Sequence, residues 1–204
     1  MHKKILTFLV CMLFILSIIS INVSAGSEED PEIIDDEDDE TFDHLDIISA
    51  WFYEKEEEPD YLFTALKIKE INQNKFKQHL TVHWEHNGIE CASSLHIGYG
   101  NPWFSFGAGY GHGFWFMEHY QRIEGEYDEE TGIIICKIPK NIINNPQQGD
   151  VLTKTKALTF QRFGFIGRLG FDRFWFSGLV SLVTGKVPWD GAPYDYGRDY
   201  IIQY

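Results

Sequence analysis

Asn87-Gly88 is the pair of residues that most restricts what this chain can fold into, because it reads as the two-residue turn of a β-hairpin. Asn and Gly tolerate the left-handed backbone that such a turn needs, and its twist matches the strands on either side. The flanks alternate apolar and polar side chains, and a two-residue turn fixes their register. His86 then pairs with Ile89, Trp84 with Cys91, Val82 with Ser93, and Leu80 with Leu95, making an apolar face that carries Cys91 into the core. The opposite face pairs Glu85 with Glu90, His83 with Ala92, Thr81 with Ser94, and His79 with His96. Its polarity predicts a solvated surface.

Other short β-type runs follow the same logic. Asp46 to Tyr53 and Tyr61 to Ile71 read as strands joined by the acidic turn Glu54 to Asp60, and Gly132 to Ile138 is a β-branched run closed by Pro139. Asp150 to Gln161 alternates as a half-exposed strand, and the connector Pro139 to Gly149 has room for one helical turn. No stretch of convincing length keeps a helical period. The expected fold is therefore all-β, a two-sheet antiparallel β-sandwich of jelly-roll or Greek-key type, with a closed barrel as the alternative. Two aromatic, glycine-punctuated segments, Tyr99 to Tyr120 and Phe160 to Trp189, do not fit this alternation; the second admits a helix, a strand pair or a long excursion.

The ends divide the chain into three parts. Lys3 and Lys4 precede the apolar run Ile5 to Ile21, and Val23-Ser24-Ala25 supplies the small residues of a cleavage site. Residues 1–25 thus read as a signal peptide cut after Ala25, with an uncleaved membrane anchor as the alternative. Cys11 lies within the run and lacks the context of a lipidation site. Residues 26–43 read as a flexible acidic leader and 44–204 as the folded domain. The chain carries a formal net charge of −14, and 17 of its acidic residues lie between Glu28 and Asp60, where Lys55 is the one basic side chain. Such a leader argues against nucleic acid, whose phosphates it would repel. No second apolar run suggests a span in the mature chain. Secretion, or display at the cell surface, is the expected location. There an oxidising medium predicts a disulfide between Cys91 and Cys136, the two cysteines left after cleavage.

With the strands placed, a family resemblance can be read. Asp43-His44-Leu45-Asp46-Ile47 leads into Tyr61-Leu62-Phe63-Thr64-Ala65-Leu66-Lys67-Ile68, and Leu80-Thr81-Val82-His83-Trp84 resembles a Y-x-V-x-F strand. Ile135-Cys136-Lys137-Ile138-Pro139-Lys140 resembles an I-x-I-P-K strand-to-turn, and Gly149-Asp150-Val151-Leu152-Thr153 the strand that comes after it. Asp190-Gly191-Ala192-Pro193 leads to Tyr196-Gly197-Arg198-Asp199-Tyr200 as a closing segment. Together these resemble the DOMON and family-9 carbohydrate-binding-module type of β-sandwich of secreted prokaryotic proteins, of archaeal kind. The resemblance implies binding of sugars, haem or cell-envelope components, and a structural calcium near the first strand. Asp35 to Glu40 stands where that family has a Gly-Asp start.

Candidate sites follow from residue chemistry. Trp103, Tyr110 and Trp115, among closely spaced glycines, have the flat rings that stack on sugar faces; core packing is the competing role. Asp35, Asp36, Asp38 and Asp39, with Asp43 and Asp46 nearby, offer hard oxygen ligands to calcium, without the spacing of an EF-hand loop. Otherwise no cofactor is expected. The cross-strand pair His79 and His96 lacks an obvious third metal ligand, and Met117 with a histidine would suit haem ligation. Catalysis is not expected: no Gly-x-Ser-x-Gly or His-Glu-x-x-His occurs, and Glu85 opposite Glu90 sits on a flat strand face. The reading is a non-catalytic binding module for carbohydrate or another envelope component. The alternatives are a structural or adhesion domain that binds a partner protein, and a haem or redox module.

Overall fold

The computed structural model describes residues 26–35, 42–72, 77–98, 100–109, 119–162, 189–192 and 196–204. Eleven strands run through them: β1 (Ile33–Ile34), β2 (Ile47–Tyr53), β3 (Tyr61–Ile68), β4 (Lys77–His86), β5 (Ile89–Ile97), β6 (Trp103–Gly109), β7 (His119–Asp128), β8 (Ile133–Pro139), β9 (Val151–Arg162), β10 (Trp189–Ala192) and β11 (Tyr200–Ile201). A 3-10 turn, Lys140–Ile143, fills the connector after β8. Among the described residues there is no α-helix, and none long and apolar enough to cross a membrane. The all-β expectation holds.

Every pairing is antiparallel, and the strands follow one path, β1-β2-β3-β8-β7-β6-β5-β4-β9-β10, with β11 also on β9. β4 to β8 form an up-and-down run, β3 adds to β8, and β9 adds to β4. Because β7 pairs with both β6 and β8, the strands make one curled sheet instead of two with separate edges. Its concave side holds the core. Trp84, 2% exposed, takes the edge of Phe52 at 5.6 Å and lies 6.0 Å from Phe106. Leu62, Leu66, Leu80, Leu95, Ile134 and Ile138 fill the space around them. Each such burial contributes about 1.5–3 kcal/mol.

The hairpin forms as its turn dictates. Asn87 and Gly88 have φ of 52° and 79°, and the β4–β5 register matches the expected pairs from His86–Ile89 to His79–His96. The expected solvation of its polar face does not hold. Thr81, Ser94, Ala92 and His96 are all buried there. Hydroxyls can bury when they bond each other, as Thr81 Oγ1 and Ser94 Oγ do at 3.0 Å. β9 also departs from simple alternation. Leu152 points into the core, yet Thr155, Ala157 and Thr159 do so beyond it, because a register shift falls at Lys154, whose φ is 52°.

The curled sheet is stitched along a seam. Gly197 N–H donates to Thr155 O at 2.9 Å on β9, and Arg198 N–H donates to Glu32 O at 2.8 Å beside β1. β11 then pairs with Leu152 and Val151. Residues 26–35, expected as part of a solvated leader, are partly built into this seam: Gly26, Pro31, Glu32 and Ile33 are buried. Ile33 enters the core, Glu32 accepts Phe52 N–H at 2.8 Å, and Arg198 binds Asp30. One apolar side chain and three specific bonds outweigh the local charge repulsion.

Candidate functional site

The outer face of β9, β4, β5 and β6 gathers the chemistry. Registers place Phe160 beside His79, His79 beside His96, and His96 beside Trp103, so four strands contribute one transverse row. The Phe160 and His79 rings stack at 4.4 Å, those of His79 and His96 meet edge to face at 4.5 Å, and those of His96 and Trp103 stack at 3.8 Å. Arg122, across from Ser105 on β7, sets its guanidinium 5.3 Å from the Trp103 ring. Next to this row lie the hydroxyls of Thr81, Ser94 and Ser105, the last 2.7 Å from His96 Nε2. One row further on, burial and then the neighbouring Lys156 charge push His83 down to about 3, so its ring is neutral at ordinary pH. The face is thus aromatic and hydrogen-bonding, with Trp103, His79 and Phe160 half-buried.

Of the aromatic candidates, Trp103 takes part in this row, while Tyr110 and Trp115 lie outside the described residues. Met117 does too. Sequence reasoning paired His79 with His96 but missed Phe160 and Arg122. Their strands reach the hairpin only through the tertiary order. A second aromatic group, Tyr53 stacked on Phe63 at 4.9 Å, already carries the cations Lys55 and Lys137 from its own chain.

The carboxylate candidates divide similarly. Asp36, Asp38 and Asp39 lie outside the described residues, and Asp35 donates its N–H to Ile48 O. Lys69 Nζ sits 2.8 Å from Asp43 and 3.7 Å from Asp46, placing an ammonium between them. Among the described residues no three His, Cys, Asp or Glu side chains are grouped to hold a metal ion. Glu85 faces Glu90 as expected, and Lys154 Nζ, 2.5 Å from Glu85, relieves the repulsion.

The expected Cys91–Cys136 disulfide is not formed; both cysteines are free and buried. Cys136 lies beside the hydroxyls of Ser93 and Thr64, which bond to each other at 2.6 Å. Ser93, not Cys91, faces it across the core. Two residues of strand span about 6.7 Å, more than the about 3.8 Å between the Cβ atoms of a disulfide. Burial pushes both thiols up to about 12. Neither should react with a thiol reagent until the protein unfolds, when both should titrate without added reductant. Fast labelling of the native protein would contradict this packing.

Compared with protein-family models, curated proteins and solved structures, the chain matches none.

Proposed function

We propose that this is an exported, non-catalytic binding module that takes a carbohydrate, or another cell-envelope ligand, on the outer face of β9, β4, β5 and β6. The row Phe160-His79-His96-Trp103 carries the proposal. Sugars present C–H faces and hydroxyl edges together. The half-buried indole of Trp103 suits the first, and the half-buried imidazole of His79 suits the second. The DOMON resemblance points the same way. Under it, β1-β2-β3-β8 and β6-β5-β4-β9 act as the two layers of a jelly-roll sandwich joined through β7.

Export rests on Lys3, Lys4, the apolar run to Ile21 and the Val23-Ser24-Ala25 site. Free thiols are compatible with it, because burial keeps an oxidant from Cys91 and Cys136.

A glycan array with the protein beginning at Gly26 tests the proposal, and hits are expected. Trp103→Ala should weaken such binding at least tenfold, about 1.4 kcal/mol, while the melting temperature stays within about 3 °C. A blank array would remove the sugar reading and favour a protein partner. Binding unchanged by Trp103→Ala would move the site off this row.

A further inference from the structure

We infer that hydrolysis of the Ala25–Gly26 bond, the cleavage on which the export reading rests, creates an ion pair: the new α-ammonium of Gly26 seats against the Glu32 carboxylate and fastens residues 26–34 to the seam. Water adds across the amide, Ala25 leaves with the carboxylate, and the Gly26 nitrogen keeps the electron pair and takes up a proton. The export reading gives the place of the cut. The structure supplies what the cut produces.

Gly26 is buried, and its backbone abuts the Glu32 carboxylate. A Cβ on Gly26 would lie 2.2 Å from Oε2 and 2.5 Å from Oε1. Covalent geometry keeps a backbone nitrogen about 2.5 Å from its own Cβ, so the Gly26 nitrogen lies within about 5 Å of that oxygen. Only glycine leaves room for this approach. Glu32 itself is 7% exposed, and Phe52 N–H gives one of its oxygens a hydrogen bond.

The charges around Glu32 leave a role for a new cation. Asp30 repels it, and Tyr200 is the further titratable group that senses its charge. Arg198 attracts it, but that guanidinium is held by Asp30 Oδ1 and Pro31 O, each at 2.6 Å. Burial is the largest influence and pushes the Glu32 carboxyl up to about 7. A folded pKa raised above the unfolded value of about 4.3 means that its contribution is complete below pH 4 and is lost as pH rises through 7. An ammonium beside it counters that loss. The ammonium's own pKa, ordinarily about 8, rises on pairing, so its contribution fades only above pH 8.

Four proteins test the pairing: chains beginning at Gly26 or at Ser24, each with Glu32 or with Glu32→Gln. At pH 7.5 the Gly26 chain is expected to melt about 4–8 °C above the Ser24 chain when Glu32 is present, and within about 2 °C of it in the Gln background. The gap should close by pH 10. An equal gap in both backgrounds, or none in either, overturns the pairing. The intact mass of the exported protein separates the two readings. A chain beginning at Gly26 supports both, a chain cut elsewhere overturns this inference and leaves export standing, and an uncut chain overturns the cleavage reading itself.

Discussion

Lys140→Met is expected to destabilise the protein by about 3–5 kcal/mol, as removing one partner of a buried ion pair does. Lys140 Nζ lies 2.5 Å from Glu54 Oε1, and the two side chains are 8% and 0% exposed. The other carboxylate oxygen, Oε2, accepts Tyr200 O–H at 3.1 Å and Gln203 N–H at 2.5 Å. Lys140 also donates to Tyr204 O. One ammonium and one carboxylate therefore hold the end of β2, the turn after β8 and the segment around β11. Without Lys140 the carboxylate stays buried with two hydrogen bonds and no countercharge. The same burial, with the Glu54 charge beside it, already raises the Tyr200 hydroxyl above its ordinary pKa. Urea unfolding of Lys140→Met, Glu54→Gln and the double variant reads the coupling. The double variant should be more stable than the two single losses added together. A loss below about 1 kcal/mol in Lys140→Met, the range of an exposed pair, would show that this pair does not hold the fold.

Gly132→Ala is expected to cost about 3 kcal/mol or more, combining a left-handed backbone with a collision. Gly132 has φ of 72°, and a Cβ there would lie 2.0 Å from Ile68 O. That approach is part of the pairing, since Ile68 N–H donates to Gly132 O at 3.0 Å where β3 meets β8. No rotamer change can relieve a clash between a Cβ and a backbone carbonyl; the strands must part. Gly149→Ala serves as the control. It also has a positive φ, 89°, but its Cβ would meet nothing within 4 Å, so it carries backbone strain alone. Equal losses in the two variants would mean that the Ile68 contact contributes nothing.

These two sites show how far the residues could be read in advance. The turn and register of the β4–β5 hairpin were legible in full because Asn87-Gly88 is local: turn chemistry and alternation are settled within about twenty neighbouring residues. β2, β3, β8 and β9 were legible nearly to their ends for the same reason. What escaped depends on residues distant in sequence. Glu54 and Glu32 belong to runs of acid that read as solvated on average, yet each meets a specific partner, Lys140 or Phe52 N–H, and is buried. An average charge cannot show which carboxylate has such a partner. The polar hairpin face likewise reads as plain surface until Phe160 and Trp103 arrive from β9 and β6 to stack on its two histidines. The disulfide expectation failed over two residues. Both thiols point inward as the pattern requires, but the curl of the sheet brings Ser93 to Cys136.

The seam has a consequence for how the chain is made. Asp30 and Arg198 are 168 residues apart, and the bond between them helps join the edges of the sheet. Emerging from a ribosome or a translocation channel, the strands up to β9 must wait with an open edge for residues 196–203. The unjoined edge of β9 is then the place where two nascent chains could pair in error. Nearly complete chains should therefore be a better substrate for chaperones than either the short early chains or the finished protein.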